Sequence, residues 1–438
     1  MSVTTRFAPS PTGRLHVGNI RTALHNYLLS AKAGGRFLLR IDDTDADRSK
    51  EEYVASIVAD LDWLGLVPAA TFRQSERFTL YDREFERLRA DGRVYACYET
   101  PEELDIQRKI LLGRKLPPIY QRKPDGAAVP DGGAPHWRFR LDHSAPIEWN
   151  DLVRGHQKFD PALISDPVIR RADGSWLYLL PSVIDDVDLA ITNVLRGEDH
   201  VTNSAVQLQM FAALGAAPPR LAHTALLVAA EGKLSKRLGS SGVDELRAAG
   251  IEPMALNSLL ARLGTSQPVE AKATLAELAE GFDLATFGRA PAHFDFSEVE
   301  EVNRKLIHNS TYQEVANPIL ADISADDYDL LKGNISRLSE LEQWLDVLDG
   351  DFPKPTIPAD DRDFLGQAAT LAASLDWSTD PWPELAAALK TATGRKGKPL
   401  FLPLRLALTG RESGPEMAPL LKRIGRARAI ARLTVASS

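Results

Sequence analysis

A strand, a helix and a second strand near the amino terminus constrain the fold of this chain more than any other feature. Residues 3–8 have the composition of a buried strand, and residues 19–33 carry apolar side chains at helical spacing. Two glycines end that helix, and residues 36–41 form a second apolar run. A β–α–β unit of this length predicts a parallel sheet whose ligand lies at the carboxyl ends of the strands, where residues 9–19 begin.

The remainder of the chain predicts an insertion followed by a long helical part. Residues 93–150 combine prolines, polar loops and an alternating run, which indicates mixed strands and loops. Residues 177–184 have the composition of a buried strand, and a helix is expected from about 204 to 214. Beyond residue 243 the pattern is helical, with helices expected at 253–263, 274–280, 297–306, 339–348, 361–375, 383–392 and 415–433.

Length and composition indicate a globular protein of several domains. With 438 residues, 44% of them hydrophobic and 26% charged, the chain is too long for one compact core. We expect roughly two to four domains. No stretch is long and apolar enough to span a bilayer, so no membrane partner is expected. The single cysteine, Cys97, rules out an internal disulfide and points to the cytoplasm.

Charge is distributed unevenly along the chain. The formal net charge is −8, yet residues 390–432 hold eleven lysines and arginines against two glutamates. This segment therefore carries about +9 on an otherwise acidic body. A basic lobe of this kind fits contact with nucleic-acid phosphates, and it fits a solvated helix face equally well.

Two short motifs carry the chemistry. Residues 16–19 (HVGN) follow a turn-forming run and open the predicted helix, and residues 233–237 (KLSKR) follow an apolar run. A helix amino terminus directs N–H groups and its positive end at an anion. Flexible lysine side chains suit negative charge that moves during a reaction. Together the motifs resemble the two ATP-handling signatures of class I aminoacyl-tRNA synthetases.

With residues 40–45 (RIDDTD) and 196–200 (RGEDH) added, the chain closely resembles bacterial glutamyl-tRNA synthetases over nearly its whole length. The resemblance implies an α/β fold: a Rossmann-type parallel-sheet catalytic domain with an inserted α+β domain, followed by an all-α carboxyl-terminal half. It implies ATP-dependent ligation of L-glutamate to tRNA through glutamyl-adenylate, giving glutamyl-tRNA, AMP and pyrophosphate. The implied domains are the two halves of the catalytic domain (1–82 and 184–231), the inserted acceptor-end-binding domain (83–183), the stem-contact domain with the KLSKR loop (232–312) and the anticodon-binding region (313–438).

The resemblance also assigns site residues. Those implied in catalysis are His16, Lys233 and Lys236. Those expected to bind glutamate are Arg6, Ser10, Asp42, Tyr178 and Arg196. Those expected to bind ATP, which acts with Mg²⁺, are His16, Gly18, Asn19, Glu198, Asp199, Leu226, Leu227 and Lys236. Those expected to contact tRNA are Asn334, Arg423 and Arg426.

The residue types suit these substrates. A dicarboxylate needs guanidinium groups, which bind carboxylates through two parallel hydrogen bonds. A glycine such as Gly18 lets a nucleotide approach the backbone closely, because it has no Cβ. Taken singly, Arg6 and Arg196 are better explained as ion-paired surface residues and Tyr178 as a core aromatic with a satisfied hydroxyl. Only the motif context favours a binding pocket.

Three positions depart from the family pattern. Asp42 stands where the family usually has Glu, so its contact with the substrate ammonium is expected to be longer or to run through water. Some relatives build a zinc site in the insertion, but here only Cys97 remains, with Glu99 and Tyr120 near other ligand positions, so no structural zinc is expected. Asn334 lies at or near the place where relatives that read the third anticodon base strictly often have Arg. This leaves open whether the chain charges glutamate tRNA alone, or glutamine tRNA as well or instead.

Competing interpretations fit less well. A glutaminyl-tRNA synthetase would carry β-barrels where this chain is helical, and a truncated relative that glutamylates a modified base would lack the anticodon region. A nucleotide-binding regulator without catalysis would have lost His16 or Lys236, and both are present. We therefore expect a cytoplasmic, monomeric enzyme whose partners are L-glutamate and tRNA.

Overall fold

The computed structural model describes residues 2–124, 133–229, 242–315, 323–350 and 356–437. The chain divides into two compact units, Met1–Val299 and Glu300–Ser438, which are described separately. Lys233 and Lys236 lie outside the described residues. The finer division into five segments stays a prediction.

The strands of the first unit are β1 (Thr4–Phe7), β2 (Arg36–Ile41), β3 (Ala70–Arg73), β4 (Val94–Cys97), β5 (His136–Phe139), β6 (Ile147–Asp151), β7 (Gly155–Phe159), β8 (Val168–Arg170), β9 (Asn193–Gly197), β10 (Arg220–Thr224), β11 (Leu227–Ala229) and β12 (Ala292–Phe294). Its helices are α1 (Val17–Lys32), α2 (Glu51–Trp63), α3 (Phe78–Ala90), α4 (Pro101–Gly113), α5 (Leu179–Asp188), α6 (Val201–Ala213), α7 (Val243–Ala248), α8 (Pro253–Arg262) and α9 (Leu275–Glu280).

Parallel strands position the site. β1, β2 and β3 pair in parallel, and β9 pairs in parallel with β10. The N–H of Thr192 donates to the carbonyl of Thr4 at 2.9 Å, which sets the β9–β10 pair beside β1. The predicted β–α–β unit is confirmed, because β1, α1 and β2 follow one another as the spacing required. The carboxyl ends of β1 and β9 therefore lie side by side.

The insertion is an α+β segment between the two parallel groups. β4, β5 and β8 form an antiparallel sheet, and β6 and β7 form an antiparallel pair. Its core contains Tyr81, Phe85, Phe139 and Trp176, all buried.

The strand expected at 177–184 is wrong, because these residues belong largely to helix α5. Seven residues of α5 are buried, including Pro181 and Asp185. A short apolar run buried on most sides looks the same in a strand and in a helix, and the proline fits because it lies in the first turn of the helix. A second correction is β12, a short strand inside the part of the chain expected to be wholly helical.

The second unit is helical, as predicted. α10 (Phe296–Asn309) leads into it, followed by α11 (Ala325–Leu331), α12 (Glu340–Asp349), α13 (Ala359–Ser374), α14 (Trp382–Thr393), α15 (Lys398–Thr409), α16 (Met417–Ile424) and α17 (Arg426–Ala436). The single helix expected at 415–433 is two, broken at Gly425, whose φ of 83° is left-handed. No helix in the described ranges is both long and apolar enough to cross a membrane.

Candidate active site

A cavity of about 810 Å³ opens at the carboxyl ends of β1 and β9. Ten of the residues predicted for the glutamate and ATP sites line it: Arg6, Ser10, His16, Gly18, Asn19, Tyr178, Arg196, Asp199, Leu226 and Leu227. Asp42 and Glu198 are not among its lining residues. The fold thus brings together side chains as far apart in sequence as Arg6 and Leu227.

His16 caps helix α1 at the cavity. Its Nδ1 accepts from the N–H groups of Gly18 at 3.1 Å and Asn19 at 3.4 Å, and the Asn19 Oδ1 accepts from the His16 N–H at 3.2 Å. Because Nδ1 accepts, a neutral ring must carry its proton on Nε2. Burial lowers the pKa of His16, which favours the neutral ring. The residue therefore offers an N–H donor at the positive end of a helix.

Gly18 is required by the geometry of this cap. A Cβ at residue 18 would lie 2.9 Å from the His16 Cε1 and 3.0 Å from its Nδ1. Glycine at this position therefore leaves room for the His16 ring, in addition to allowing any close approach of a nucleotide.

Arg196, on β9, is a buried guanidinium held by neutral partners. Its Nη1 donates to the Tyr178 hydroxyl at 2.8 Å, and its Nη2 donates to Ser204 Oγ at 2.5 Å and Gln207 Oε1 at 2.6 Å. Its Nε donates more weakly to His223 Nε2 at 3.4 Å. Among the described residues no carboxylate contacts it, and burial lowers its pKa. One N–H of Nη1 is left to meet a ligand.

Arg6, by contrast, is already paired. Its Nε and Nη2 donate to the Asp186 carboxylate at 3.1 and 3.4 Å. Asp186 also accepts from Arg40 Nη1 at 2.8 Å, and although burial opposes it, the two guanidinium groups hold the pKa of Asp186 below its usual value. Arg40 in turn binds Asp42 at 2.6 and 3.1 Å.

Asp42 therefore lies behind the cavity. Its carboxylate faces the fully buried Arg40 and is 6% exposed. Both carboxylate oxygens accept from Arg40, and the longer or water-mediated ammonium contact expected for Asp42 stays a prediction.

Glu198 contacts the backbone of a residue that lines the cavity. Its carboxylate pairs with Arg154 and its Oε1 accepts from the Leu226 N–H at 3.4 Å. The Leu226 side chain is 43% exposed, which gives the cavity an apolar surface beside its polar groups.

A cluster in the insertion bears on the zinc prediction. His136 lies opposite Cys97 in the β4–β5 register, and the ligand atoms of Cys97, Glu99 and His136 lie within 4.8 Å of one another. The Tyr120 hydroxyl lies 3.4 Å from Cys97 Sγ and donates to Glu99 at 3.3 Å. Lys123 Nζ lies 3.2 Å from the same carboxylate.

In the second unit, Asn334 lines a cleft of about 390 Å³ with Gln343, Trp344 and Arg411. The Arg411 guanidinium stacks over the Trp344 ring at 4.5 Å and donates to Gln343 Oε1 at 3.0 Å. Amide and guanidinium groups therefore line this cleft together with an aromatic ring.

The two arginines predicted to contact tRNA differ in their surroundings. Arg423 donates to Asp327 at 2.6 Å and to Asp349 at 2.7 Å. Arg426 is exposed and donates to the Ala373 carbonyl at 2.7 Å, and no carboxylate within the described ranges pairs with it.

The sequence interpretation missed the residues that surround the arginines: Arg40, Asp151, Asp186, Ser204 and His223. A weak signal exists, since Arg40 and His223 each interrupt an apolar strand. A polar residue in a buried strand requires a partner. Sequence alone does not identify that partner, because tertiary packing brings it close.

The comparisons with known proteins agree with this geometry. The family model for tRNA synthetases class I (E and Q), catalytic domain, matches residues 2–301, and the model for an anticodon binding domain matches residues 273–437. Fold and site together define a class I aminoacyl-tRNA synthetase.

Relatives narrow the family further. Glutamate–tRNA ligase 2 of Sphingopyxis alaskensis is 62% identical over 436 residues, which cover 100% of this chain and 99% of the relative. Glutamate–tRNA ligase 1 of Novosphingobium aromaticivorans is 58% identical, with 99% and 100% covered. A crystal structure of a glutamate tRNA ligase from Elizabethkingia meningosepticum, in complex with its amino acid, matches with a TM-score of 0.85 at 26% identity, covering 100% of this chain and 99% of that one. The chain belongs to the glutamate–tRNA ligase family.

Proposed function

We propose that this chain ligates L-glutamate to tRNA in two steps at the 810 Å³ cavity. In the first, the glutamate α-carboxylate attacks the α-phosphorus of ATP, and the bond to pyrophosphate breaks. In the second, a hydroxyl of the terminal adenosine of tRNA attacks the activated carbonyl, and AMP leaves. The protein's task is to position reactants and to offset charge.

The observation that carries the proposal is the environment of Arg196. A buried guanidinium with neutral partners is costly unless an anion joins it. The substrate side-chain carboxylate supplies that anion, and the Tyr178 hydroxyl orients the guanidinium for it. Glutamine would leave the charge unpaired, so the site favours glutamate.

The other glutamate contacts follow from position. Arg6 lines the cavity while its charge is balanced by Asp186, so it suits a hydrogen bond more than a new ion pair. Ser10 is an exposed hydroxyl at the cavity rim. Asp42 is proposed to act through Arg40 and Asp186, holding Arg6 in place.

ATP is proposed to bind at the amino terminus of α1. The Nε2–H of His16 and the side-chain amide of Asn19 offer donors to phosphate oxygens, and the positive end of the helix favours the anion. Leu226 and Leu227 supply an apolar surface for the adenine, with Asp199 nearby. Lys233 and Lys236, outside the described residues, are proposed to offset charge on the leaving pyrophosphate.

Mg²⁺ is proposed to accompany ATP. In the parts of the chain that the structure describes, the one group of three candidate metal-ligating side chains lies in the insertion, away from this cavity. A magnesium ion that keeps its waters and binds phosphate oxygens needs no such group from the protein.

tRNA recognition is proposed to involve the second unit, the part that matches an anticodon binding domain. Arg426 and Arg423 are proposed to contact phosphates, and the Asn334 cleft an unpaired base. Glutamate tRNA is the proposed substrate, and glutamine tRNA is the second candidate because Asn334 carries a short neutral amide. We propose that the chain acts as a monomer, in the cytoplasm where tRNA is charged.

Pyrophosphate exchange and aminoacylation with added tRNA test the function. The wild-type chain is expected to prefer glutamate over glutamine by roughly a thousandfold or more in kcat/KM. Arg196→Gln should abolish most of that preference, while Arg220→Gln, on the neighbouring strand at an exposed position, should keep it. Equal use of both amino acids by the wild-type chain would refute the proposal.

A further inference from the structure

Behind Arg196 lies a buried chain of hydrogen bonds that the proposed chemistry does not use directly. It begins at Asp151, the last residue of β6. The Asp151 Oδ1 accepts from the backbone N–H groups of Val153, Arg154 and His223 at 3.0, 2.9 and 3.1 Å. Its Oδ2 meets His223 Nδ1 at 2.5 Å. Although burial opposes it, the hydrogen bonds from His223 and the backbone hold the pKa of Asp151 at about 2.

The charged carboxylate fixes the tautomer of His223. Because Asp151 can only accept, His223 Nδ1 carries the proton and Nε2 of the neutral ring becomes an acceptor. Nε2 lies 2.7 Å from Ser204 Oγ and 3.4 Å from Arg196 Nε. The Ser204 hydroxyl donates to Nε2, and its oxygen accepts from Arg196 Nη2 at 2.5 Å.

We propose that Asp151, His223 and Ser204 are positioning residues that orient the Arg196 guanidinium for the substrate carboxylate. The inference rests on the proposed role of Arg196 in binding glutamate. Every donor in this series of hydrogen bonds meets an acceptor only when Nε2 of His223 carries no proton. That arrangement uses four of the five N–H groups of the guanidinium and leaves the second N–H of Nη1 to the ligand.

The opposite tautomer of His223 would disrupt these hydrogen bonds. A proton on Nε2 would face the Nε–H of Arg196, placing two donors against each other. Ser204 would then receive two donors and its own proton would lose a partner. The guanidinium would turn or shift, and a misplaced charge binds a carboxylate less well.

A hydrolytic role for the three residues does not fit. The order of Asp151, His223 and Ser204 resembles that of an acid–base–nucleophile triad. Yet Ser204 is fully buried, and its oxygen is occupied by Arg196. The group that emerges at the cavity is the guanidinium.

Asp151→Asn tests the proposal with almost no change of shape. The Asn Oδ1 can still accept the three backbone N–H groups, while its NH₂ faces His223 Nδ1 and forces the proton onto Nε2. We expect KM for glutamate to rise about tenfold to a hundredfold, with kcat and KM for ATP changed less than about threefold. Ser204→Ala should act in the same direction, and the double variant should show less than the sum of the two effects, because both act on one guanidinium.

Two controls separate the possible causes of failure. Asp160→Asn alters an exposed aspartate that caps Ala162 in the same insertion, and it should leave all constants unchanged. The ¹⁵N shifts of the His223 ring, assigned with a His223→Gln variant, report directly which nitrogen is protonated. The positioning role is overturned if Asp151→Asn folds and switches the His223 tautomer but leaves KM for glutamate unchanged. If Arg196→Gln also leaves that KM unchanged, the proposed function fails with it.

Discussion

At the scale of single residues, two histidines at the site are held in opposite tautomers. His16 accepts two backbone hydrogen bonds at Nδ1, so its proton lies on Nε2, whereas His223 donates from Nδ1 to Asp151 and accepts at Nε2. The same side chain thus serves as a donor toward phosphates in one place and as an acceptor from a guanidinium in the other. In each case the partner of Nδ1 decides the role.

The His16 cap leads to a prediction for Gly18→Ala. The new Cβ would press on the His16 ring at about 2.9 Å. The ring must move, so we expect kcat for glutamate activation to fall about tenfold or more. Tm should change little, because the loss of the His16 cap, about 1 kcal/mol, is offset by the better helix propensity of alanine, up to about 1 kcal/mol.

Measuring both activity and Tm of Gly18→Ala separates an effect on the His16 ring from a loss of stability. Gly13→Ala is the matched control, because a Cβ there meets no atom within 4 Å. Full activity of Gly18→Ala at unchanged Tm would show that the His16 ring tolerates the contact or has no part in the reaction.

At the scale of elements, the sequence predicts those helices and strands whose positions depend on the local spacing of apolar residues. The sequence predicts β1, α1 and β2 because two apolar runs flank a segment with helical spacing, and a β–α–β unit is the arrangement that fits this order. The carboxyl ends of the strands in such a unit predict where the cavity lies. α15 was missed because it contains Pro399 and Pro403, yet Leu400, Leu404 and Leu408 are buried along one face. Burial of that face offsets the hydrogen bond that Pro403 cannot make.

The residues of the site likewise fall into those that the local sequence predicts and those that it does not. That residues within motifs, such as His16 and Arg196, line one cavity could be predicted from the sequence, and their roles stay predictions. Their supports, such as Asp151 and Asp186, come from other elements, and nothing in the local sequence shows that the fold brings them within hydrogen-bond distance. The position of Asp42 behind the cavity likewise depends on Arg40, a partner that tertiary packing supplies.

The β4–β5 pair carries a prediction about zinc. Cys97, Glu99 and His136 are grouped closely enough to suggest a metal site, and His136 Nε2 is buried without a hydrogen-bond partner among the described residues. Cys97 and Glu99, however, have partners without a metal. Glu99 pairs with Lys123 and Tyr120, and burial raises the pKa of the Cys97 thiol, which disfavours the thiolate that zinc requires. We expect elemental analysis of the purified chain to find no retained zinc, and a chelator to leave Tm unchanged.

One zinc per chain, absent from a Cys97→Ser variant whose Tm is several degrees lower, would contradict that expectation. Equal Tm of both chains, with and without chelator, would support a network held by hydrogen bonds and the Lys123 ion pair.

At the scale of the whole molecule, net charge hides how charges are paired. The basic segment at 390–432 is partly neutralised by aspartates from earlier in the second unit: Arg395 pairs with Asp361, and Arg423 and Arg428 pair with Asp349. Sequence counting could not anticipate this, because the partners lie outside the segment. The charges best placed for phosphates are therefore fewer than the eleven that the sequence contains.

This difference predicts unequal effects of charge removal on tRNA binding. Lys422 and Arg426 are exposed, and neither has a carboxylate partner within the described ranges. Replacing both by Ala should weaken glutamate and glutamine tRNAs about equally and reduce the salt slope of log Kd by about one for each phosphate that the variant no longer neutralises. Arg423→Ala should lower Tm as well, because it leaves Asp327 without its guanidinium partner and Asp349 with Arg428 alone.

Base choice should respond to a different residue. Asn334→Arg places a charged fork in the cleft beside Trp344 and Arg411, so it should change the ratio of kcat/KM for the two tRNAs while KM for glutamate stays constant. Gln367→Arg, on the outer surface of α13 in the same unit, adds the same charge away from that cleft and should leave the ratio unchanged. If the Lys422/Arg426 variant shifts the ratio while Asn334→Arg does not, the basic residues read the bases and the cleft does not.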